Sequence, residues 1–283
     1  WSVNNIAFAE VMHTALSYFQ AGRAEAGYKL LKSSVLDGMY LGDSPGNFGQ
    51  ISFYDAARGE CYRDFGDPIG VASRVLIQGL FGILPDALNQ QIILRPGFPD
   101  DWDKASVSTP DISYRFTRKE DTDTYHITQR FQTPLHPVLQ INARKEKIRS
   151  VKVNDVPATW QSIESAHGYP LLSIQAEGTS STTITIEWEG ASLHTLAVQE
   201  LVIASNGKLA LQIPSGASIS QVYDPQSVLA KHTVEATAFN AQLKGEPGHH
   251  TFFVYTHQGE MDWWQPVNIY IENVRESPSY TDF

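Results

Sequence analysis

Five ionised side chains crowd into the segment FYDAARGECYRDF, residues 53–65. The carboxylates are Asp55, Glu60 and Asp64, and they lie among the guanidinium groups of Arg58 and Arg63. Carboxyl groups close to arginine can perform general acid–base chemistry when burial and neighbouring charge adjust their protonation. Two alternatives stay open: an ion-pair lattice that holds a loop in place, and a carboxylate that only hydrogen-bonds a ligand. Among the acid–base candidates we favour Glu60.

The same segment lies within a stretch, residues 40–66, that shows neither a helical nor a strand period. Loops this long inside compact domains are uncommon and are either disordered or functional. The aromatic content argues against disorder. Tyr54 in the loop and Trp1 at the start of the chain are our candidates for contacting a ligand, whereas core packing explains Phe53 and Phe65 better.

Other chemistry finds little support in the sequence. Asp67 precedes Pro68 and is interpreted as a helix N-cap, and Asp43 as a turn residue. Cys61 lacks a convincing histidine partner and is not expected to be a nucleophile. His249, His250 and His257 flank aromatic strand residues without visible companion ligands, so no metal site is predicted.

Composition narrows the range of partners. The chain has 283 residues, a net charge of −10 and 42% apolar residues. The negative charge argues against nucleic acid and anionic membrane surfaces as partners, and no apolar run is long enough to span a bilayer. A single cysteine excludes an internal disulfide and a cysteine-based zinc site. Phosphate-loop, dinucleotide and metalloprotease motifs do not occur, and no cofactor is expected.

The ends of the sequence resemble cuts through a longer protein. Trp1 stands where a methionine would begin a chain, and WSVNNIAFAE runs directly into a helical pattern with no signal peptide before it. ENVRESPSYTDF stops without a closing element. We therefore expect the chain to contact a missing upstream part of the same protein or another copy of itself.

Periodicity predicts three helices at the start. The first carries Phe8, Met12, Ala15 and Phe19 on one face, with Asn4 or Asn5 as N-cap and a stop at Ala21–Gly22. The second begins near Ala24, carries Tyr28, Leu31 and Val35 on one face, and ends at Asp37–Gly38. The third runs from Asp67–Pro68 to about Ile83, where Pro85 closes it.

From Gln90 onward the apolar period changes to two. Short runs rich in β-branched and aromatic residues predict strands, and their spacing favours an antiparallel β-sandwich. KVNDVPATW is predicted to be a hairpin with its turn at Asn154–Asp155. After about His194 a second strand series begins. In it, the adjacent Trp263 and Trp264 should point to opposite faces of a strand, so that one of them faces an interface or a sugar.

These patterns predict a multi-domain α+β chain: a helical segment (1–88), a β-sandwich (89–193) and a second small β-domain (194–283). Three helices cannot enclose a good core alone, so they should pack on the sheets or on missing protein. A tight turn at Gly22 makes the first two helices antiparallel. The loop 40–66 should then converge with Trp1 and Asn4 on one rim.

SYFQAGRAEAGYKLLKSSVLDGMYLGDSPGNFG, FYDAARGECYRDFGDPIGVASRVLIQGLFGI and LRPGFPDDWDKASVSTPDISYRF together resemble the end of an (α/α)6-barrel glycoside hydrolase. The passage GLFGI–strand–RPGFPDDW is similar to the transition from barrel to β-sandwich in α-L-rhamnosidases, and closer still to an uncharacterised bacterial family, a domain of unknown function. The resemblance covers about residues 1–190. It implies that the helices are the terminal ones of an (α/α)6 toroid and that the loop 40–66 contributes to an active site.

The resemblance implies a bacterial, exported or periplasmic protein that hydrolyses plant or microbial polysaccharide. It implies Glu60 as acid or base, with Asp55 and Asp64 as further catalytic candidates. Arg58 and Arg63 would hold carboxylates or an acidic sugar, Tyr54 and Trp1 would stack on sugar rings, and Asn4 would line the same rim. Three helices are only a part of such a toroid, so the isolated chain is expected to be inactive.

Two alternatives to hydrolysis remain open. The first is a non-catalytic carbohydrate-binding or scaffold module, in which the loop is a structural lattice and the β-domains bind glycan or a partner. The second is a polysaccharide lyase or a sugar phosphorylase on the same toroid.

Overall fold

The computed structural model describes residues 5–41, 51–62, 66–194, 196 and 200–272. The chain divides into two compact units. Unit 1 comprises residues 1–141, 150–161 and 173–187, and unit 2 comprises residues 142–149, 162–172 and 188–283. The division into segments 1–88, 89–193 and 194–283 stays a prediction. No helix in the described ranges is long and apolar enough to cross a bilayer.

Unit 1 begins with strand β1 (Asn5–Ala7) and helices α1 (Phe8–Gln20) and α2 (Ala24–Val35). After a short hairpin of strands β2 (Phe53–Asp55) and β3 (Glu60–Tyr62), helix α3 (Asp67–Arg74) follows. The predicted apolar face of the first helix is confirmed, because Phe8, Met12, Ala15 and Phe19 are all buried. Helix α1 packs against both α2 and α3.

The predicted helix starts are wrong in detail. Asn5 lies in β1, and the N-cap of α1 is Ala7, which provides no side-chain hydrogen bond. Asn4 lies outside the described residues. Asp67 is the first helical residue of α3, and the N-cap position is occupied by Gly66. At α1, Asn5 is paired in a strand and does not cap the helix. At α3, the N-cap is Gly66, which has no side chain.

Helices α2 and α3 also end differently from the prediction. Each continues into one π-helical turn, Leu36–Leu41 after α2 and Val75–Leu80 after α3. Asp37–Gly38 therefore does not end the second helix. The third ends before Gly82, whose φ of +63° leads the chain into a strand containing Pro85. This strand lies at the edge of its sheet, where a proline costs no ladder bond.

The strands that follow are β4 (Ile83–Asp86), β5 (Gln91–Leu94), β6 (Lys104–Ser108), β7 (Ile112–Lys119), β8 (Thr122–Gln129), β9 (His136–Asn142), β10 (Lys145–Val153), β11 (Val156–Pro157), β12 (Gln161–Ser162), β13 (Leu171–Gln175) and β14 (Ser181–Ser192). They form a six-stranded sheet, β11-β10-β14-β8-β7-β6, and a five-stranded sheet, β12-β13-β9-β5-β4. Ile112, Tyr114 and Phe116 of β7 give the six-stranded sheet an apolar face, and Ile92 and Leu94 of β5 contribute to one on the five-stranded sheet, as β-sandwich domains require. The (α/α)6 toroid stays an expectation.

Two pairings depart from the antiparallel prediction, one in unit 1 and the other between residues 201–204 and 269–272 of unit 2. Strands β5 and β9 are parallel, with Ile92 opposite Pro137 and Leu94 opposite Leu139. Between them the chain passes through β6, β7 and β8, which is long enough to bring it back in the same direction. The hairpin of β10 and β11 is confirmed. Asn154 and Asp155 have φ values of 50° and 64°, and Val153 pairs with Val156, as a two-residue type I′ turn demands.

The helices of unit 1 pack on the sheets of the same unit, which is one of the two arrangements predicted for burying their apolar faces. The contact runs through Gly97 and Phe98 of RPGFPDDW: a Cβ on Gly97 would lie 2.4 Å from the Phe19 ring. Phe98 stacks on Phe116, with ring centroids 5.2 Å apart. Trp102 meets Tyr28 of α2 edge to face at 5.0 Å. The passage singled out in the sequence is therefore the joint between helices and strands.

Unit 2 is built from strands β15 (Leu201–Ala204), β16 (Lys208–Gln212), β17 (Ala217–Tyr223), β18 (Leu229–Val234), β19 (Ala238–Leu243), β20 (Gly248–Gln258) and β21 (Met261–Glu272). They form the sheets β15-β21-β20-β17 and β16-β19-β18. Phe239, Phe252, Val254, Val267 and Ile269 are fully buried in one apolar cluster. The second strand series is thus confirmed as a β-structure with a core of its own.

Candidate functional site

The described part of the long loop is a β-hairpin joined to the start of helix α1. β1 pairs antiparallel with β2, placing Asn5 opposite Asp55 and Ile6 opposite Tyr54. β2 pairs in turn with β3, placing Asp55 opposite Glu60. The Phe8 N–H donates to the Ser52 carbonyl at 3.1 Å. For these residues, the predicted convergence of the loop with the beginning of the first helix is observed.

Asp55 organises the turn of this hairpin. Its Oδ1 accepts hydrogen bonds from the backbone N–H groups of Ala57 and Arg58, at 3.0 and 3.1 Å. Gly59 closes the turn at φ +69°, and its N–H donates to the Asp55 carbonyl at 2.8 Å. The Asp55 side chain is only 2% exposed. These hydrogen bonds give the buried Asp55 carboxylate a structural role in the turn. A catalytic role for Asp55 stays a prediction.

Arg58 lies between the two carboxylates of the hairpin. Its Nε is 3.8 Å from Asp55 Oδ2, and one terminal nitrogen is 3.8 Å from Glu60 Oε2. The Arg58 side chain is 65% exposed and that of Glu60 53% exposed. Pairs this exposed contribute at most about 1 kcal/mol to stability. The arrangement is the ion-pair lattice considered from the sequence, with one carboxylate turned toward solvent.

Glu60 is therefore the hairpin carboxylate that a ligand can reach. An ionised carboxylate accepts hydrogen bonds and a guanidinium donates them, so Glu60 and Arg58 together suit a ligand rich in hydroxyl groups. Tyr54, Phe53 and Cys61 are partly exposed on the same small sheet. The remaining predicted site residues lie outside the described residues: Trp1, Asn4, Arg63 and Asp64.

The hairpin itself was missed in the sequence. Its strands are three residues each, too short for a period of two to be visible. The spacing of Asp55 and Gly59, four residues apart, could have predicted the turn. An aspartate carboxylate can accept hydrogen bonds from the backbone N–H groups of a turn, and a glycine tolerates a positive φ.

Three histidines of unit 2 make side-chain hydrogen bonds in the structure. His249 contacts Glu200 at 2.6 Å, His257 contacts Asp262 at 2.8 Å, and His250 contacts the Glu246 carbonyl at 2.8 Å. Within the described ranges, no three histidine, cysteine or acidic side chains are grouped as metal ligands.

Unit 1 also has an open pocket of about 440 Å³, which the sequence did not indicate. Val138, Val153 and Ala176 provide apolar walls, and His136 lies at its margin. The Gly178 N–H donates to His136 Nδ1 at 3.0 Å. The Glu177 carboxylate, 3.5 Å from the same nitrogen, is 92% exposed and is the weaker contact.

The prediction for the adjacent tryptophans is confirmed. Trp263 is 1% exposed in the core of unit 2, whereas Trp264 is partly exposed on the opposite face of β21. Strand geometry requires this alternation.

No family model matches the sequence, and no curated protein sequence matches it. Several solved structures align with parts of this chain at low similarity. The N-terminal Ig1-2 module of the Drosophila receptor protein tyrosine phosphatase DLAR is 9% identical, with a TM-score of 0.20 over 54% of this chain and 91% of that one. The Bacteroides ovatus mixed-linkage glucan utilization locus protein SGBP-B, solved with a mixed-linkage heptasaccharide, is 8% identical, with a TM-score of 0.23 over 60% and 63%. The N-terminal periplasmic domain of ScsB from Proteus mirabilis is 7% identical, with a TM-score of 0.18 over 59% and 98%. Similarity this low carries no argument about function.

Proposed function

We propose that this chain is part of a glycoside-hydrolase-like protein that acts on plant or microbial polysaccharide and contacts the glycan through the β1–β3 sheet. One observation carries the proposal: Glu60 presents a 53% exposed carboxylate 3.8 Å from Arg58, on a hairpin joined to the start of helix α1. The resemblance of residues 1–190 to the end of an (α/α)6-barrel hydrolase supports it, because loops entering inner helices carry the active sites of such barrels.

The chemistry proposed for Glu60 is proton transfer at the glycosidic oxygen or at water. Hydrolysis needs a second carboxyl group, roughly 5 to 9.5 Å from the first. Asp55 is directly opposite Glu60, but its carboxylate is buried and bound to turn amides. Asp64 therefore remains the predicted partner within this sequence, and a residue of a longer form of the protein is the other source.

A binding role without catalysis is the second candidate. It is favoured by the engagement of Arg58 with both hairpin carboxylates, since such a lattice can hold a sugar-contacting surface without transferring a proton. In this case Glu60 and Arg58 would hydrogen-bond sugar hydroxyls.

Mass spectrometry of the products separates these functions. The chain, and the same protein extended upstream, would be incubated with neutral and acidic polysaccharides, each with and without Glu60→Gln. Glu189→Gln is a matched control, because Glu189 is 51% exposed and 3.6 Å from Arg149. Loss of released sugar in Glu60→Gln alone supports the hydrolase. Full activity in Glu60→Gln removes Glu60 from the mechanism.

Other outcomes identify the alternatives. Glycan binding without any released product supports the binding module. Unsaturated products that absorb in the near ultraviolet indicate a lyase, and release that requires added phosphate indicates a phosphorylase.

We further propose that the protein is exported or periplasmic in a bacterium, where polysaccharide is encountered. Cell fractionation with an antibody against the chain tests this. Recovery with cytoplasmic markers would contradict it.

A further inference from the structure

We propose that unit 2 binds a neutral glycan on the outward face of the sheet β17-β20-β21, at a site separate from the hairpin. The site is centred on Tyr223, Phe253, Tyr255 and Trp264, which we call the aromatic face. Glycan binding at the aromatic face is a function separate from the proposed hydrolysis, and it does not depend on Glu60.

Strand register brings these four rings together. Tyr255 is paired with Trp264 across β20 and β21, and Tyr223 is paired with Phe253 across β17 and β20. The Tyr255 and Trp264 ring centroids are 5.0 Å apart, those of Tyr223 and Phe253 6.2 Å, and those of Tyr223 and Trp264 6.4 Å. Tyr223 is 58% exposed. The rings thus form a continuous aromatic surface that solvent reaches.

Hydrogen-bonding pairs border the aromatic face at both ends. Two residues along the strands in one direction, His257 Nδ1 and Asp262 Oδ1 are 2.8 Å apart. In the other direction, beyond Phe253, the Thr251 hydroxyl donates to Asn268 Oδ1 at 2.8 Å. The two polar pairs are separated by three strand steps of two residues, roughly 20 Å. An elongated ligand with apolar flat faces and polar edges matches this pattern.

A sugar chain has that chemistry. The C–H groups of a pyranose face pack on a flat aromatic ring, and its hydroxyl groups meet donors and acceptors at the ring's edge. The rings stand on a buried core that includes Phe252, Val254 and Trp263, so little side-chain freedom is lost on binding. Three of the four rings lie on the inner strands β20 and β21, whose backbone groups are already paired with neighbouring strands. A peptide adding a strand would therefore find a backbone edge only at β17, which carries one of the four rings.

Charge selects the class of glycan. The pKa of Tyr255 is raised, first by burial and then by the negative charges of Asp262 and Glu164. The Asp262 side chain is 40% exposed at one end of the aromatic face, and the chain has a net charge of −10. Negative charge at this position disfavours uronates and sulfated sugars. The ligand we infer is a neutral polysaccharide.

Calorimetric titration of the chain with soluble β-glucan, xylan, galactomannan and polygalacturonate, in one buffer, tests the proposal. Binding is expected for at least one neutral polysaccharide and not for polygalacturonate. Trp264→Ala should lower the association constant roughly tenfold or more, as removal of a central aromatic anchor does. Tyr223→Ala should lower it several-fold.

Tyr270→Ala is the matched control, because Tyr270 lies on the same strand and face, six residues beyond Trp264, or roughly 20 Å. Circular dichroism would establish that each variant is folded. Four results would each overturn the proposal. Two concern the variants: binding by Trp264→Ala equal to that of the parent chain, or an equal loss of binding in Trp264→Ala and Tyr270→Ala. The other two concern the ligand: preference for polygalacturonate, or no binding to any neutral polysaccharide. A dimer in gel filtration that Trp264→Ala makes monomeric, without glycan binding, would assign the face to a second copy of the chain instead.

Glu60→Gln distinguishes this site from the hairpin. Trp264→Ala should lower neutral-glycan binding by the same factor in the parent chain and in the Glu60→Gln background, because this loss belongs to the aromatic face and not to the hairpin.

Discussion

Trp263 and Trp264 are consecutive residues of β21, yet Trp263 is buried in the core of unit 2 and Trp264 lies on the opposite face beside Tyr255. The two side chains have the same chemistry and differ in their surroundings alone. One contributes to stability, and the other is available to a ligand.

Truncation of these two residues should therefore have unequal effects on stability. Trp263→Ala should lower the free energy of unfolding of unit 2 by about 3–5 kcal/mol, because it leaves a large cavity. Trp264→Ala should lower it by about 1 kcal/mol, the contribution of a partly exposed aromatic pair. Hydrogen exchange of β20 and β21 measures the difference locally.

Trp263→Phe provides the control for this comparison. The buried Trp263 Nε1 has no hydrogen-bond partner among the described residues, so phenylalanine removes an unpaired donor while retaining most of the packing. The loss should be well below that of Trp263→Ala. Equal losses in both variants would contradict the packing explanation.

Gly82 should tolerate no side chain. A Cβ at this position would lie 1.8 Å from the Arg95 carbonyl oxygen, and the backbone has a φ of +63°. Gly82→Ala should lower the free energy of unfolding of unit 1 by roughly 3 kcal/mol or more. Gly22 has a φ of +73° with nothing within 4 Å of a Cβ, so Gly22→Ala should cost about 1 kcal/mol from φ alone. Thermal denaturation of both variants measures this, and similar shifts would show that the close approach at Gly82 is unimportant.

Asp55 should protect the amides of its own turn. Asp55→Ala removes the acceptor for the Ala57 and Arg58 N–H groups, and charged acceptors of this kind contribute about 1.5–3 kcal/mol each before coupling. Faster hydrogen exchange is expected at residues 57 and 58, with exchange in β7 and β8 unchanged. Unchanged exchange in the turn would show that Asp55 does not organise it.

Asp262 should influence the titration of Tyr255. Burial comes first among the causes that raise the Tyr255 pKa above 10.0, and the negative charges of Asp262 and Glu164 come next. Asp262→Asn should lower this pKa without returning it to 10.0, since burial remains. Carbon-13 NMR of labelled tyrosine, titrated from pH 8 upward, measures the shift.

The raised pKa has a defined consequence for stability. The folded state holds the phenolic proton more tightly than the unfolded state, so the contribution of Tyr255 is fully present below pH 10.0 and is lost as the pH rises through the folded pKa. Asp262→Asn should narrow this window at its upper end. A Tyr255 pKa unaffected by Asp262→Asn would remove the charge argument for a neutral ligand.

Much of the fold could be predicted because it is encoded by local periodicity. The buried face of α1 follows from Phe8, Met12, Ala15 and Phe19 at helical spacing. The β10–β11 hairpin follows from Asn154 and Asp155, which adopt the positive φ values that a type I′ turn needs. The opposite orientations of Trp263 and Trp264 follow from strand geometry alone.

The candidate sites depend on contacts between distant parts of the chain. Asp55 was predicted as a catalytic carboxylate, and only the pairing of β2 with β3 and β1 revealed its place in a turn. The parallel pairing of β5 with β9 was equally invisible in the sequence.

Thus the sequence by itself determined the apolar face of α1, the alternation along the longer strands and the turn at Asn154–Asp155, because each depends on residues close together in the chain. The tertiary structure alone decided which faces become neighbours. Tyr223, Phe253 and Trp264 form one surface because strand register aligns three strands, and register is set by the burial of the opposite face rather than by the ring residues themselves.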